Sequence, residues 1–211
     1  MKKQILILVF GLFACLNVFA QMEESKVKSS DDPWKFGVNI AASYDYEHPT
    51  QHSTGKIGVK AGFAAEKHLV YNIYFKPTVN LCKKGFKEDT QLQTLDYNAY
   101  FLEIEANLEM KFGDERTGKG FLISITPFYS YGLFGSTTFD ILEGENAGSE
   151  TIDPFANDDF LRPDLGYKLG IGYDINHNWE LNATYLFGFY NIINGSSHKW
   201  RGVNVGLTYF F

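Results

Sequence analysis

The sequence predicts an all-β chain, an eight-stranded antiparallel up-and-down transmembrane β-barrel. Three observations lead there. Apolar residues alternate with period two in eight successive runs, the pattern of strands with two different faces. The apolar face carries Tyr, Trp and Phe near the strand ends, as interfacial aromatic girdles do. The connections alternate between long and short, the asymmetry of a barrel with loops on one side and tight turns on the other.

In order along the chain, Lys2 and Lys3 followed by the apolar run Ile5 to Phe19, and Val18-Phe19-Ala20 before Gln21, read as a signal peptide over 1–20 cleaved after Ala20. A polar leader is expected over 21–33 and the barrel domain over 34–211. The first run sends Trp34, Phe36, Val38, Ile40, Ala42 and Tyr44 one way. The second does so with Ile57, Val59, Ala61, Phe63 and Ala65, and the third with Tyr71, Ile73, Phe75, Pro77, Val79 and Leu81. In the fourth, Tyr100, Leu102, Ile104, Ala106, Leu108, Met110 and Phe112 oppose Glu103, Glu105, Asn107, Glu109 and Lys111. The fifth sets Phe121, Ile123, Ile125, Tyr129 and Tyr131 against Ser124, Thr126 and Ser130. The sixth carries Leu165, Tyr167, Leu169, Ile171 and Tyr173 opposite Asp164, Lys168 and glycines; the seventh carries Trp179 to Phe189 opposite Glu180, Asn182 and Thr184. The eighth ends the chain with Val203, Val205, Leu207, Tyr209 and Phe211 outward. Pro77 and Pro127 each remove a ladder hydrogen bond.

Long connections are expected near Asp45–Gly55, Gly85–Thr94, Gly135–Pro163 and Asn191–His198, with short ones at Lys67–Leu69, Gly113–Lys119 and Asp174–Asn178. Strands of about 11 residues at about 3.3 Å each, tilted about 40°, cross roughly 27 Å, the apolar thickness of an outer membrane. Among 211 residues, 19 are Lys or Arg and 25 Asp or Glu, a net charge of -6 that argues against a nucleic-acid partner. Cys15 leaves with the signal peptide, so Cys82 is expected as a small packed side chain.

No nucleophile elbow, phosphate loop or paired-cysteine motif occurs, and neither enzymatic activity nor a cofactor is expected. His48 and His52 share a loop with Asp45 and Glu47 and read as solvated residues. The inward charges are more informative. Lys56, Lys60, Lys76, Lys111 and Lys168 face Glu103, Glu105, Glu109 and Glu180 across a lumen just wide enough for side chains to fill. Such charges are expected to pair into a polar plug, since an unpaired buried charge is very costly. A narrow pore for small solutes is the alternative. The acidic third long loop reads as solvated and exterior, with Asp153, Asp158 and Asp159 as its weak Ca²⁺ candidates. Expected partners are outer-membrane lipid, the barrel-assembly machinery through the Phe211 strand, and an envelope protein that the residues leave unspecified.

Tyr100-Phe101-Leu102-Glu103-Ile104, the glycine-rich Asp164 to Tyr173, Lys83-Lys84-Gly85 and Tyr185-Leu186-Phe187-Gly188 resemble strand motifs of the PorT-like family of small outer-membrane β-barrel proteins of Gram-negative bacteria. The resemblance runs from Trp34 to Phe211. It departs at Glu105, where the family usually has proline, and at Thr184, where it often has arginine. It implies a role in the cell envelope and, in some members, a part in protein secretion.

Overall fold

The structure, a computed structural model, describes residues 33–49, 53–90, 93–114, 116–141, 148–156 and 160–211. Nine strands are β1 (Lys35–His48), β2 (Ser53–Val70), β3 (Ile73–Asp89), β4 (Gln93–Asp114), β5 (Lys119–Ile141), β6 (Gly148–Ile152), β7 (Pro163–Asp174), β8 (Trp179–Asn191) and β9 (Lys199–Phe210). Eight of them, all but β6, form a ring of antiparallel neighbours. β1 pairs with β9, and β4 with β5, so every strand of the ring has partners on both sides. Closure matters because an open edge in hydrocarbon would leave a row of amide groups without hydrogen bonds.

The alternation read from the sequence sorts onto the two faces of this ring. Ile57, Phe63, Phe121 and Ile171 point outward and are 77%, 71%, 70% and 66% exposed. Large apolar groups so bare in a continuous belt are suited to acyl chains, not to water. Rings border the belt at each end. Trp34 packs edge-on to Phe75 and Trp179 tilts onto Tyr209 near the termini. Tyr100 stacks on Phe134, and the Tyr46 and Tyr185 hydroxyls meet at 2.7 Å, toward the other end. The end holding the start of β1, the end of β9 and the short turns corresponds to the periplasmic end of such barrels. Each proline interrupts one ladder: β2–β3 pairing passes from Ala64–Thr78 to Lys67–Phe75, and β4–β5 from Glu105–Phe128 to Leu108–Ile125.

Several boundaries differ from the sequence reading. The strands of the ring run 12 to 23 residues, the longest of them well past the membrane band. Much of the first and second expected long connections, and part of the third, is β-structure, because the alternation continues there with its chemistry reversed: Phe86, Leu95, Tyr97 and Ala99 are the inward residues and bury one another. Within the third connection, Thr137–Ile141 pairs with β6, a short strand added outside the ring. The turn after β2 lies at Tyr71-Asn72 instead of Lys67–Leu69. Tyr71, read as the start of a strand, supplies the positive φ of 53° that so tight a turn demands. The expected signal peptide and most of the leader lie outside the described residues.

A bulge in the β2–β3 ladder between Gly55 and Lys60 depends on a missing side chain. A Cβ on Gly58 would strike the Lys83 carbonyl and come 3.2 Å from Asp45 Oδ2. Gly58→Ala is therefore expected to cost about 1–3 kcal/mol by overpacking. A urea titration of the refolded barrel measures it, and an unchanged midpoint would show that the bulge relaxes freely.

Candidate functional site

Inside the ring the side chains form three layers. Nearest the periplasmic end, Lys111 and Lys76 sit among four carboxylates. Lys111 Nζ lies 2.6 Å from Glu66, 3.2 Å from Asp174, 3.5 Å from Glu180 and 3.8 Å from Glu109. Lys76 Nζ lies 2.5 Å from Glu109 and also pairs with Glu180. β2, β3, β4, β7 and β8 all contribute, so this layer ties together strands far apart in sequence. A recess of about 210 Å³ opens below it, lined among others by Lys35, Asp114, His177 and Trp179.

The middle layer centres on Lys168. Its Nζ donates to Glu103 at 2.6 Å and Glu105 at 2.5 Å. Lys60 donates to Glu105 at 2.9 Å, and Thr78 and Asn80 also donate to that carboxylate, at 2.6 and 3.2 Å. Lys84 stands 3.3 Å from Glu103 and 3.5 Å from Asp164. The Cys82 thiol donates to Glu103 at 3.5 Å, so the one described cysteine is a buried member of the network. A space of about 30 Å³ remains between the two charged layers, near Asn39, Thr184 and Thr208. It is large enough for an ordered water or so.

The outermost layer is aromatic. Phe86, Tyr97, Phe101, Phe128, Phe155, Phe160 and Trp200 are buried together with Leu95, Leu186 and Ile192. Phe86 stacks on Tyr97 at 5.1 Å and Tyr97 on Phe160 at 4.8 Å, while Trp200 meets Phe86 edge-on at 5.8 Å. Phe155 and Phe160 come from the third long connection, which folds back over the mouth. Arg162 holds it there by donating to the carbonyls of Gly132, Leu133 and Phe155 and covering the Phe155 ring. The seam between layers is Lys84, whose ammonium lies 5.2 Å from the Phe101 and Phe128 ring centres.

Lys60, Lys76, Glu103, Glu105, Glu109, Lys111, Lys168 and Glu180 thus all face the interior, split between two layers. Lys84, Asp174 and the aromatic cap were missed, and Lys84 shares the parity of the residues that were named, which could have found it. Glu66 falls on the inward face with Lys60, as the alternation of the second run has it, and joins the lower layer. Lys56 behaves differently. Its ammonium pairs with Asp96, which alternates with the inward Tyr97 and so belongs to the outer face. Asp45 and Glu47, expected in a solvated loop beside His48, are buried strand residues, and Glu47 lies 3.1 Å from His198 Nδ1. His52 lies outside the described residues. So do Asp158 and Asp159, while Asp153 accepts the Phe155 amide at 2.9 Å and caps a turn.

A family model described as "Outer membrane protein beta-barrel domain" matches residues 19–194. A comparison with curated proteins gives no match. Similar solved structures include Ail, the attachment invasion locus protein of Yersinia pestis, at 14% identity over 84% of this chain and 97% of that chain with a TM-score of 0.47. Neisserial surface protein A is 12% identical over 84% and 97% of the two chains with a TM-score of 0.45. The N-terminal β-barrel domain of Pseudomonas aeruginosa OprF is 12% identical over 83% and 97% with a TM-score of 0.33. With its closed eight-strand ring, apolar outer belt and matched family model, the chain belongs to the outer membrane β-barrel domain family and is an outer-membrane protein.

Proposed function

We propose that the protein is a structural or interaction component of the outer membrane, neither an enzyme nor a pore, whose barrel is closed to solutes and holds its outer loops at the cell surface. The observation that carries this reading is the stack of filled layers: two ion-paired ones and an aromatic cap lie in series along the interior. An ion crossing it would have to separate buried charge pairs or part packed rings, and either is costly. The PorT-like strand motifs support the finer family placement and, with it, a link to protein secretion. Phe211, 73% exposed just past the end of β9, suits recognition by the barrel-assembly machinery.

Purified protein in a planar lipid bilayer tests the closure. No discrete conductance steps are expected at any modest voltage. Reproducible single-channel openings from the wild-type protein would establish the narrow pore and overturn the reading.

A further inference from the structure

On β3 the inward residues Cys82, Lys84 and Phe86 alternate with Lys83, Gly85 and Lys87, which therefore face outward. Their height is set by their neighbours. Lys83 pairs across strands with Tyr100, a ring of the outer girdle, and the row below it is the apolar pair Leu81 and Leu102. Lys83 thus stands where hydrocarbon gives way to lipid headgroups.

Two further ammonium groups join it. The stem of Lys56 runs over Gly85, where a Cβ would come 3.1 Å from its Cδ, so Lys56 fills the gap between Lys83 and Lys87. Lys56 is balanced by Asp96 and Lys87 by Asp89 at 3.0 Å. The Lys83 ammonium has neither a hydrogen bond nor an ion pair among the described residues. Three cations against two carboxylates leave one positive charge uncompensated beside a low-dielectric medium, on a flexible stem able to reach the headgroup layer. The girdle hydroxyls of Tyr44 and Tyr100 stand at the same rim as further donors.

We propose that Lys83, with Lys56 and Lys87 beside it, forms a site for the phosphate groups of a phosphorylated glycolipid of the outer leaflet. The acyl chains would lie along the apolar belt below, and the phosphate would neutralise Lys83. The site is on the outer wall and independent of whether the interior is closed, so failure here leaves the closure untouched.

The test uses the full chain refolded in an uncharged detergent, with the thermal midpoint read from loss of the fast-migrating folded band on a gel. The probes are bis-phosphorylated lipid A, the same lipid without phosphates, and inorganic phosphate. The phosphorylated lipid is expected to raise the wild-type midpoint, and Lys83→Gln to lose most of that shift while still giving the folded band. Lys67→Gln, on the outer wall at the opposite rim beside Trp34, is expected to keep it. An equal shift from the dephosphorylated lipid, or a full shift in Lys83→Gln, would overturn the site. An equal shift from inorganic phosphate would assign it to a free anion and overturn the lipid.

Discussion

Lys168→Ala is expected to lower the unfolding free energy of the barrel by about 3–5 kcal/mol, the cost of leaving buried charge without its partner. Lys168 is 1% exposed and is the only group of the middle layer hydrogen-bonded to both Glu103 and Glu105 among the described residues. Without it, three carboxylates (Glu103, Glu105, Asp164) share Lys60 and Lys84, and one negative charge stays uncompensated. Urea titration of the refolded protein, followed by the folded band on a gel, measures the loss. The double variant Lys168→Met with Glu105→Gln removes one charge of each sign and is expected to recover part of it. A single variant within about 0.5 kcal/mol of wild type, as for an ordinary surface substitution, would show that water reaches the layer and screens it.

Trp200→Ala is the second large effect, with an expected loss of about 3–5 kcal/mol from removing a buried ring that the cap cannot refill. Trp200 is 2% exposed, lies 5.9 Å from Tyr97 and 6.2 Å from Phe101 between ring centres, and covers the Lys84 ammonium from above. The same titration reads it. Conductance in a planar bilayer is expected to stay near zero in this variant, because both charged layers lie beneath the cavity. Channel openings that appear only in Trp200→Ala would instead make the aromatic cap the sole barrier.

The layout of the wall was legible because each of its rules is local. Whether Leu102 or Glu103 faces lipid depends only on its immediate neighbours and a period of two, and the same holds for Ile171 against Lys168. The interior rim was misread for a related reason. Gly85 to Thr94 is rich in charged and polar residues, which suggests a loop, yet Phe86 and Leu95 keep the alternation and turn apolar side chains inward. Above the membrane the solvent on the outer face changes from hydrocarbon to water, so the useful pattern inverts while the strand continues.

Alternation and girdle aromatics thus sufficed for the number of strands in the ring, the facing of most wall residues and the outer-membrane setting, since each is a property of short segments. Which charge meets which was decided only when the ring closed. Lys60 and Glu105 are 45 residues apart, and Lys76 and Glu180 are 104 apart. Their heights in the lumen depend on the stagger accumulated from strand to strand, to which the bulges at Gly55–Lys60 and Tyr100–Phe101 contribute. The return of Phe155 and Phe160 onto Tyr97 and Phe101 was settled at the same level. An apolar residue in an acidic connection is buried only if the closed barrel places a hydrophobic mouth within its reach.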